Sequence, residues 1–314
     1  MRNVIEQEMS SQPEVGRHPI EMATERVADG FLSSFDKLPD RVKETLGEEE
    51  QQMMRQIFDK DPLTFKHSAA VTEIIDKVWP EFSEEFERRG IKYRNMIDSG
   101  ILHDVGKLAL PDCILQGTFT RQQFADMFKG FSGEQPDRAT SLLRNKGLLS
   151  EKRTVDDLSD ETLQRLDYRD LVPLDFCFRD DPAAMAEIIQ YRLDPHMTFF
   201  DALKIHESKS REIIGELHVP NKERVAAAAG SHHNYGARVK MDSSHSDLNN
   251  EALIDWTEVL RLSDMLDAMV GDRRYQKSLS VPEALEQINE FTRQGLFKKD
   301  IAERWVRAYT KRNL

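Results

Sequence analysis

An almost wholly α-helical fold is predicted by three features of this chain. Apolar residues recur with the 3.6-residue period of amphipathic helices along most of its length, and strand-like alternation is nearly absent. The 15 glycines and 12 prolines among 314 residues are also too few to interrupt helices often. Hydrophobic residues make up 39% of the total, enough for a sizeable core, and the length suits one large or two ordinary domains at roughly 100–200 residues each.

The elements follow in order. Residues 1–20 read as poorly ordered, and 21–60 as a pair of helices divided near Leu38-Pro39-Asp40, where a proline suits the first turn of a helix. Together, residues 1–60 form an N-terminal helical extension. Residues 61–314 read as the main domain, helix-rich from about Pro62 to Ile114 and again from about Thr198. Between those stretches, residues 131–197 carry Gly133, Pro136, Pro173, Pro182 and Pro195, with the acidic pairs Asp156-Asp157 and Asp180-Asp181. That pattern predicts an insertion or lid. The run Ala226–Ala229 predicts close helix packing.

Charge narrows the function classes. Lys+Arg number 44 against 56 Asp+Glu, a formal net charge of −12. General binders of DNA or membrane surfaces gather cations against phosphates, so duplex nucleic acid and membranes are excluded as partners, and a small anionic ligand requires a local basic or metal site. Cys113 and Cys177 lie among apolar residues outside any CxxC pair and read as reduced core thiols. No secretory leader and no apolar run near the roughly 20 residues of a membrane span is found, so a cytoplasmic location is expected.

The chemistry-bearing residues are histidines and aspartates on otherwise apolar helix faces, where an unpaired polar group is costly. His67 shares a face with Val71, Ile74 and Val78. Alone, such a histidine is more often a hydrogen-bonded core residue than a ligand. His103 and Asp104 close the segment Met96–Leu102, with Gly106 permitting close backbone approach and Lys107 placing a cation beside the carboxylate; a local Asp-Lys ion pair is the plainer alternative. His206 follows Phe199, Ala202 and Leu203 on a core-facing stripe, His232 lies on the stripe of Val225, Ala228 and Ala229 with His233 beside it, and Asp264 follows Trp256 and Leu260. Together these five histidines and two aspartates offer imidazole nitrogen and carboxylate oxygen without thiolate, the donors of hard-to-borderline divalent ions. His18, His196, His218 and His245 sit in polar surroundings and read as surface or loop residues.

These residues resemble the HD-domain superfamily of metal-dependent phosphohydrolases, and within it the HD-GYP group of cyclic dinucleotide phosphodiesterases. His67, then His103-Asp104 36 residues later, followed by Val105-Gly106-Lys107 and Leu110-Pro111-Asp112-Cys113-Ile114-Leu115, is similar to the H…HDxGK…IPxxIL run of that group. His232-His233 resembles its double histidine, and Asp264-Met265-Leu266-Asp267-Ala268-Met269 with Asp272-Arg273-Arg274-Tyr275 its DxxDAL…DRPY signature. The likeness covers about residues 60–130 and 198–305.

The resemblance implies an HD-type helical bundle around two divalent ions, iron or manganese. One would take His67, His103, Asp104 and Asp264, the other Asp104, His206, His232 and His233, with Asp104 bridging. It further implies hydrolysis of a cyclic dinucleotide, cyclic di-GMP foremost, by a hydroxide between the ions, with Lys107, Arg273 and Arg274 meeting substrate phosphates. Two departures stand out. Asn234-Tyr235-Gly236-Ala237-Arg238 replaces the Glu and DGxGYP loop, so the resemblance does not carry a third metal. The 102 residues from Asp104 to His206 are several times the usual gap. A di-iron oxygenase of HD type and a nucleotide-sensing or partner-binding module remain alternative readings, and a homodimer or protein partner is expected to use residues 131–197 or the N-terminal helices.

Overall fold

The computed structural model describes residues 31–117, 119–158, 167–233, 250–271 and 278–313. His18, His245, Arg273, Arg274 and the segment Asn234–Arg238 lie outside the described residues, as do 1–20. The fold is all-α: among the described residues the only pairing of extended chain is an isolated bridge between Pro173 and Thr198. No described helix is long and apolar enough to cross a membrane.

Among the described residues three helical segments, where the sequence predicts two, lead to the main bundle: residues 31–35, α1 (Asp40–Thr45) and α2 (Glu48–Lys60). Pro39 stands at the N-cap position of α1, one residue before the first turn where the sequence places it, and the chain breaks again at Gly47 before α2. These segments pack Phe31, Val42, Met54, Ile57 and Phe58 into the same core as α3. Helix α3 (Pro62–Arg88) begins at a full cap, with Asp61 accepting from Leu63 N and from Thr64 Oγ1 and with Pro62 in the first turn. Val71, Ile74, Ile75 and Val78 face inward from α3 onto α4 (Tyr93–Leu102) and onto α12 (Asn250–Val270). Trp256 and Trp305 are the largest side chains fully buried there, and each indole N–H donates to a serine: Trp256 to Ser99 and Trp305 to Ser263.

A second hydrophobic cluster occupies the middle of the chain. It joins α5 (Asp112–Leu115), α6 (Arg121–Glu134), α7 (Pro136–Asn145), α8 (Leu174–Cys177) and α9 (Pro182–Gln190) to the first turns of α10 (Phe199–Glu216). Its members lie on both sides of residue 131, from Leu110, Ile114, Phe124 and Phe128 through Phe131, Leu143 and Ile188 to Phe199 and Ala202. The prolines that suggested irregularity begin helices, Pro136 and Pro182 each sitting in a first turn. After α10, α11 (Lys222–Ala229) buries Val225 and all four alanines, α13 (Val281–Arg293) and α14 (Lys299–Asn313) close the first core.

One buried ionic cluster ties α2 to α4. Arg94 bonds Glu50 and lies 3.4 Å from Asp98 Oδ2, whose other oxygen has no hydrogen-bond partner. Burial pushes the Asp98 carboxyl up to about 8, the neighbouring Glu50 charge adding to the rise and Arg94 opposing it.

Two predictions follow from this packing. Phe131 is fully buried against Phe128 and Phe176, so Phe131→Ala is expected to cost roughly 3–5 kcal/mol, read from denaturant midpoints. Asp98 holds a proton in the fold that the unfolded chain has released, so its contribution is full below pH ~4 and is gone above the folded value of about 8. Asp98→Asn should therefore be the more stable protein near pH 9 and lose that advantage toward pH 4; a variant equally destabilised at both would show that the carboxylate, not the proton, is what the fold uses.

Candidate metal centre

The donor cluster is assembled from five elements. His67 projects from α3, His103 ends α4, and Asp104 follows in bridge-like backbone (φ −100°, ψ 7°) as the chain tightens into a 3-10 turn over Val105–Ala109. His206 lies in α10, His232 and His233 just beyond α11, and Asp264 in α12. The bend after α4 turns both His103 and Asp104 toward one point, and Gly106 makes it feasible. A Cβ on Gly106 would sit 1.9 Å from the His206 carbonyl oxygen, so only glycine lets the turn press against α10. Ser210, one turn beyond His206, locks the contact by accepting from Gly106 N at 2.8 Å and donating to His103 O at 2.7 Å.

Among the described residues three groups of donor atoms form, each group within 4.8 Å: His67, His103 and Asp264; His103, Asp104 and His232; His206, His232 and His233. The middle group shares one member with each of the others, so the cluster is continuous. Asp104 is at its centre, with Oδ1 3.2 Å from His206 Nε2 and 3.9 Å from His232 Nε2, and Oδ2 3.5 Å from His103 Nε2 and 3.7 Å from His67 Nε2. Asp264 Oδ1 is 2.9 Å from His67 Nε2, and its Oδ2 is 4.0 Å from His233 Nδ1.

The opposite ring nitrogens are occupied. The Nδ1 atoms of His103, His206 and His232 bond the carbonyls of Gly100, Leu203 and Ala229, each three residues earlier. A carbonyl can only accept, so each Nδ1 carries the proton and each Nε2 presents a lone pair inward. His67 Nδ1 instead meets Asp267 Oδ2 at 2.6 Å, a carboxylate in the same orienting role. His206 Nε2 and His232 Nε2 are buried and make no hydrogen bond. Lone pairs converging on a carboxylate oxygen, with no proton between them, are what a cation resolves. The donor set therefore fits a metal ion of the N/O-binding type.

Electrostatics agree with that reading. Burial pushes the imidazoles of His103, His232 and His233 down, His233 to about 4, so these rings are neutral and able to ligate at neutral pH. His67 is the exception: burial opposes its charge, but the hydrogen bonds to Asp264 and Asp267 outweigh it and hold the ring at about 9. A cation taken up here must displace that proton. Asp104 is kept well below the usual carboxylate range against its own burial, chiefly by Lys107, whose Nζ lies 2.6 Å from Oδ2. Asp264 is likewise lowered by His67.

The structure thus gathers His67, His103, Asp104, His206, His232, His233 and Asp264, with Lys107 bonded to Asp104. His196 and His218 are exposed and pair with Asp175 and Glu49 instead. Cys113 and Cys177 are half-buried free thiols packed against the second core. Asp267 and Ser210 are the functional residues that the apolar stripes did not single out. Each lies one helical turn from a ligand on the same helix, a spacing that only gains meaning once the ligand's orientation is known.

No family model matches the chain, nor does any curated protein or solved structure. Asp267→Ala should weaken metal binding roughly 10–100-fold while leaving the fold intact, because His67 loses the carboxylate that orients it. Competition titration against a chelator reads the change, and an unaltered affinity would remove Asp267 from the centre.

Proposed function

We propose that this chain is a metal-dependent phosphodiesterase of the HD-GYP-like kind that hydrolyses a cyclic dinucleotide, cyclic di-GMP foremost, with iron or manganese in its centre. The observation that carries the reading is the pair of buried, unbonded nitrogens, His206 Nε2 and His232 Nε2, beside Asp104 Oδ1. A protein without metal chemistry gains nothing from keeping such lone pairs out of water. His67, His103, Asp104 and Asp264 would hold one ion, and Asp104, His206, His232 and His233 the second, Asp104 serving both. Held there, two such ions would supply Lewis acidity and the activation of water that attack on phosphorus needs.

The chain's own residues do the rest. Lys107 keeps Asp104 ionised and lines the adjoining cavity, so its ammonium is in reach of a non-bridging phosphate oxygen. Asp267 and the three backbone carbonyls hold the imidazoles in the ligating tautomer. Arg273 and Arg274 are assigned to the substrate's phosphates on the resemblance alone.

Metal-loaded protein incubated with cyclic di-GMP and related cyclic dinucleotides should yield linear dinucleotide or mononucleotide by chromatography. Asp104→Ala and Asp264→Ala should lower the rate by about a thousandfold or more, since each removes a charge that several kcal/mol of transition-state stabilisation depend on. Products at equal rate from the variants, or dioxygen uptake in place of hydrolysis, would end this reading.

A further inference from the structure

A cavity of about 700 Å3 lies between the bundle that carries the donors and the second core. Three of its lining residues each stand three positions from a donor: Thr64 from His67, Lys107 from Asp104, Leu203 from His206. Three residues is close to one helical turn, about 5 Å of rise, so this side of the cavity is the outer layer of the donor cluster. Lys107 demonstrates the adjacency, lining the cavity while its Nζ bonds Asp104 Oδ2. The far wall comes from the segment between Asp104 and His206. There, half-buried Phe119 and Tyr168 supply aromatic lining, and Phe119 packs edge-on against Phe124 and Phe199, which also line the cavity, at ring distances of 5.3 and 6.0 Å.

Beside those rings the polar groups form an alternating set. Arg169 grips both oxygens of the half-exposed Asp167 carboxylate, at 3.0 Å from Nε and 2.7 Å from Nη2, and with a smaller contribution from Arg121 holds that carboxyl below its usual range. Guanidinium groups only donate and a carboxylate only accepts. A planar ligand edge that carries both donors and acceptors matches this combination, as a nucleobase edge does. A compact inorganic anion or a sugar phosphate would leave the aromatic wall facing water. The volume falls within the roughly 300–1,000 Å3 of small-molecule sites.

We propose that this cavity seats a nucleobase of the phosphate ester, its ring against Phe119 and Tyr168, its polar edge toward Arg121, Asp167 and Arg169, and its phosphate toward Lys107 and the donor cluster. The proposal rests on the phosphodiesterase reading above for the orientation of the ligand, and it makes Phe119 and Tyr168 the residues that select nucleotides over other phosphate esters.

Calorimetric titration of the metal-loaded protein with GMP, cyclic di-GMP and inorganic phosphate tests it. Phe119→Ala and Tyr168→Ala should weaken both nucleotides roughly tenfold or more, the scale of base–aromatic stacking, while inorganic phosphate affinity and metal content stay at wild-type levels and Phe119→Trp restores nucleotide binding. Leu115→Trp, which fills the cavity from another wall, should exclude the nucleotides and so tests the seat if an alanine variant fails to fold. Wild-type protein that binds neither nucleotide, or alanine and Leu115→Trp variants that bind them as wild type does, would overturn the proposal. Metal-dependent hydrolysis of bis(4-nitrophenyl) phosphate judges the reaction separately. Hydrolysis without nucleotide binding sinks the seat alone, and nucleotide binding without hydrolysis sinks the phosphodiesterase alone.

Discussion

A carboxylate almost without solvent sets the terms for this protein. The Asp104 side chain is 3% exposed, and an ion that has left water must recover the lost hydration from fixed partners. Lys107 supplies one, and the imidazoles of His67, His103, His206 and His232 crowd the remaining directions. Bringing them so close demands that the turn after α4 lie flat against α10, which is why Gly106 has no room for a side chain and why Ser210 bonds both sides of the turn. The helix ends, the turn and the stripe of α10 are consequences of keeping this one group ionised in a dry place.

The two ends of the donor cluster are not alike. Around His67 the partners are carboxylates, Asp264 in front and Asp267 behind, and the ring is held protonated to about 9. Around His232 the partners are other imidazoles and backbone carbonyls, and burial keeps the His232 and His233 rings neutral. The first end is rich in negative oxygen and the second in neutral nitrogen, which gives a hard ion and a borderline ion different preferences along the same cluster. Asp104 lies between and couples them.

Helix α10 connects chemistry to recognition. Its first turns give Phe199 and Ala202 to the second core, Leu203 to the cavity, His206 and Ser210 to the donor cluster, and Ile214 to the first core. One continuous helix thereby carries residues of the second core, the cavity and the donor cluster. Lys146 strengthens the attachment by pairing with Asp201 on α10 and with Asp170 in the turn next to Arg169.

What the amino-acid sequence determined by itself was the helical class, the faces that are buried and the ligand types. Val71, Ile74 and Val78 lie inward with His67, as their 3.6-residue spacing requires, and the same logic held for His206 behind Ala202 and for Asp264 behind Leu260. Periodicity reports that a face is covered, but it is silent about what covers it. Only the tertiary structure could bring Asp267 to His67 across 200 residues, let Ser210 satisfy backbone groups of α4 and its following turn, and show that the proline-rich middle of the chain closes on its own aromatic core beside the donors. Those contacts depend on distances through space between residues far apart in the chain, and local spacing carries no record of them.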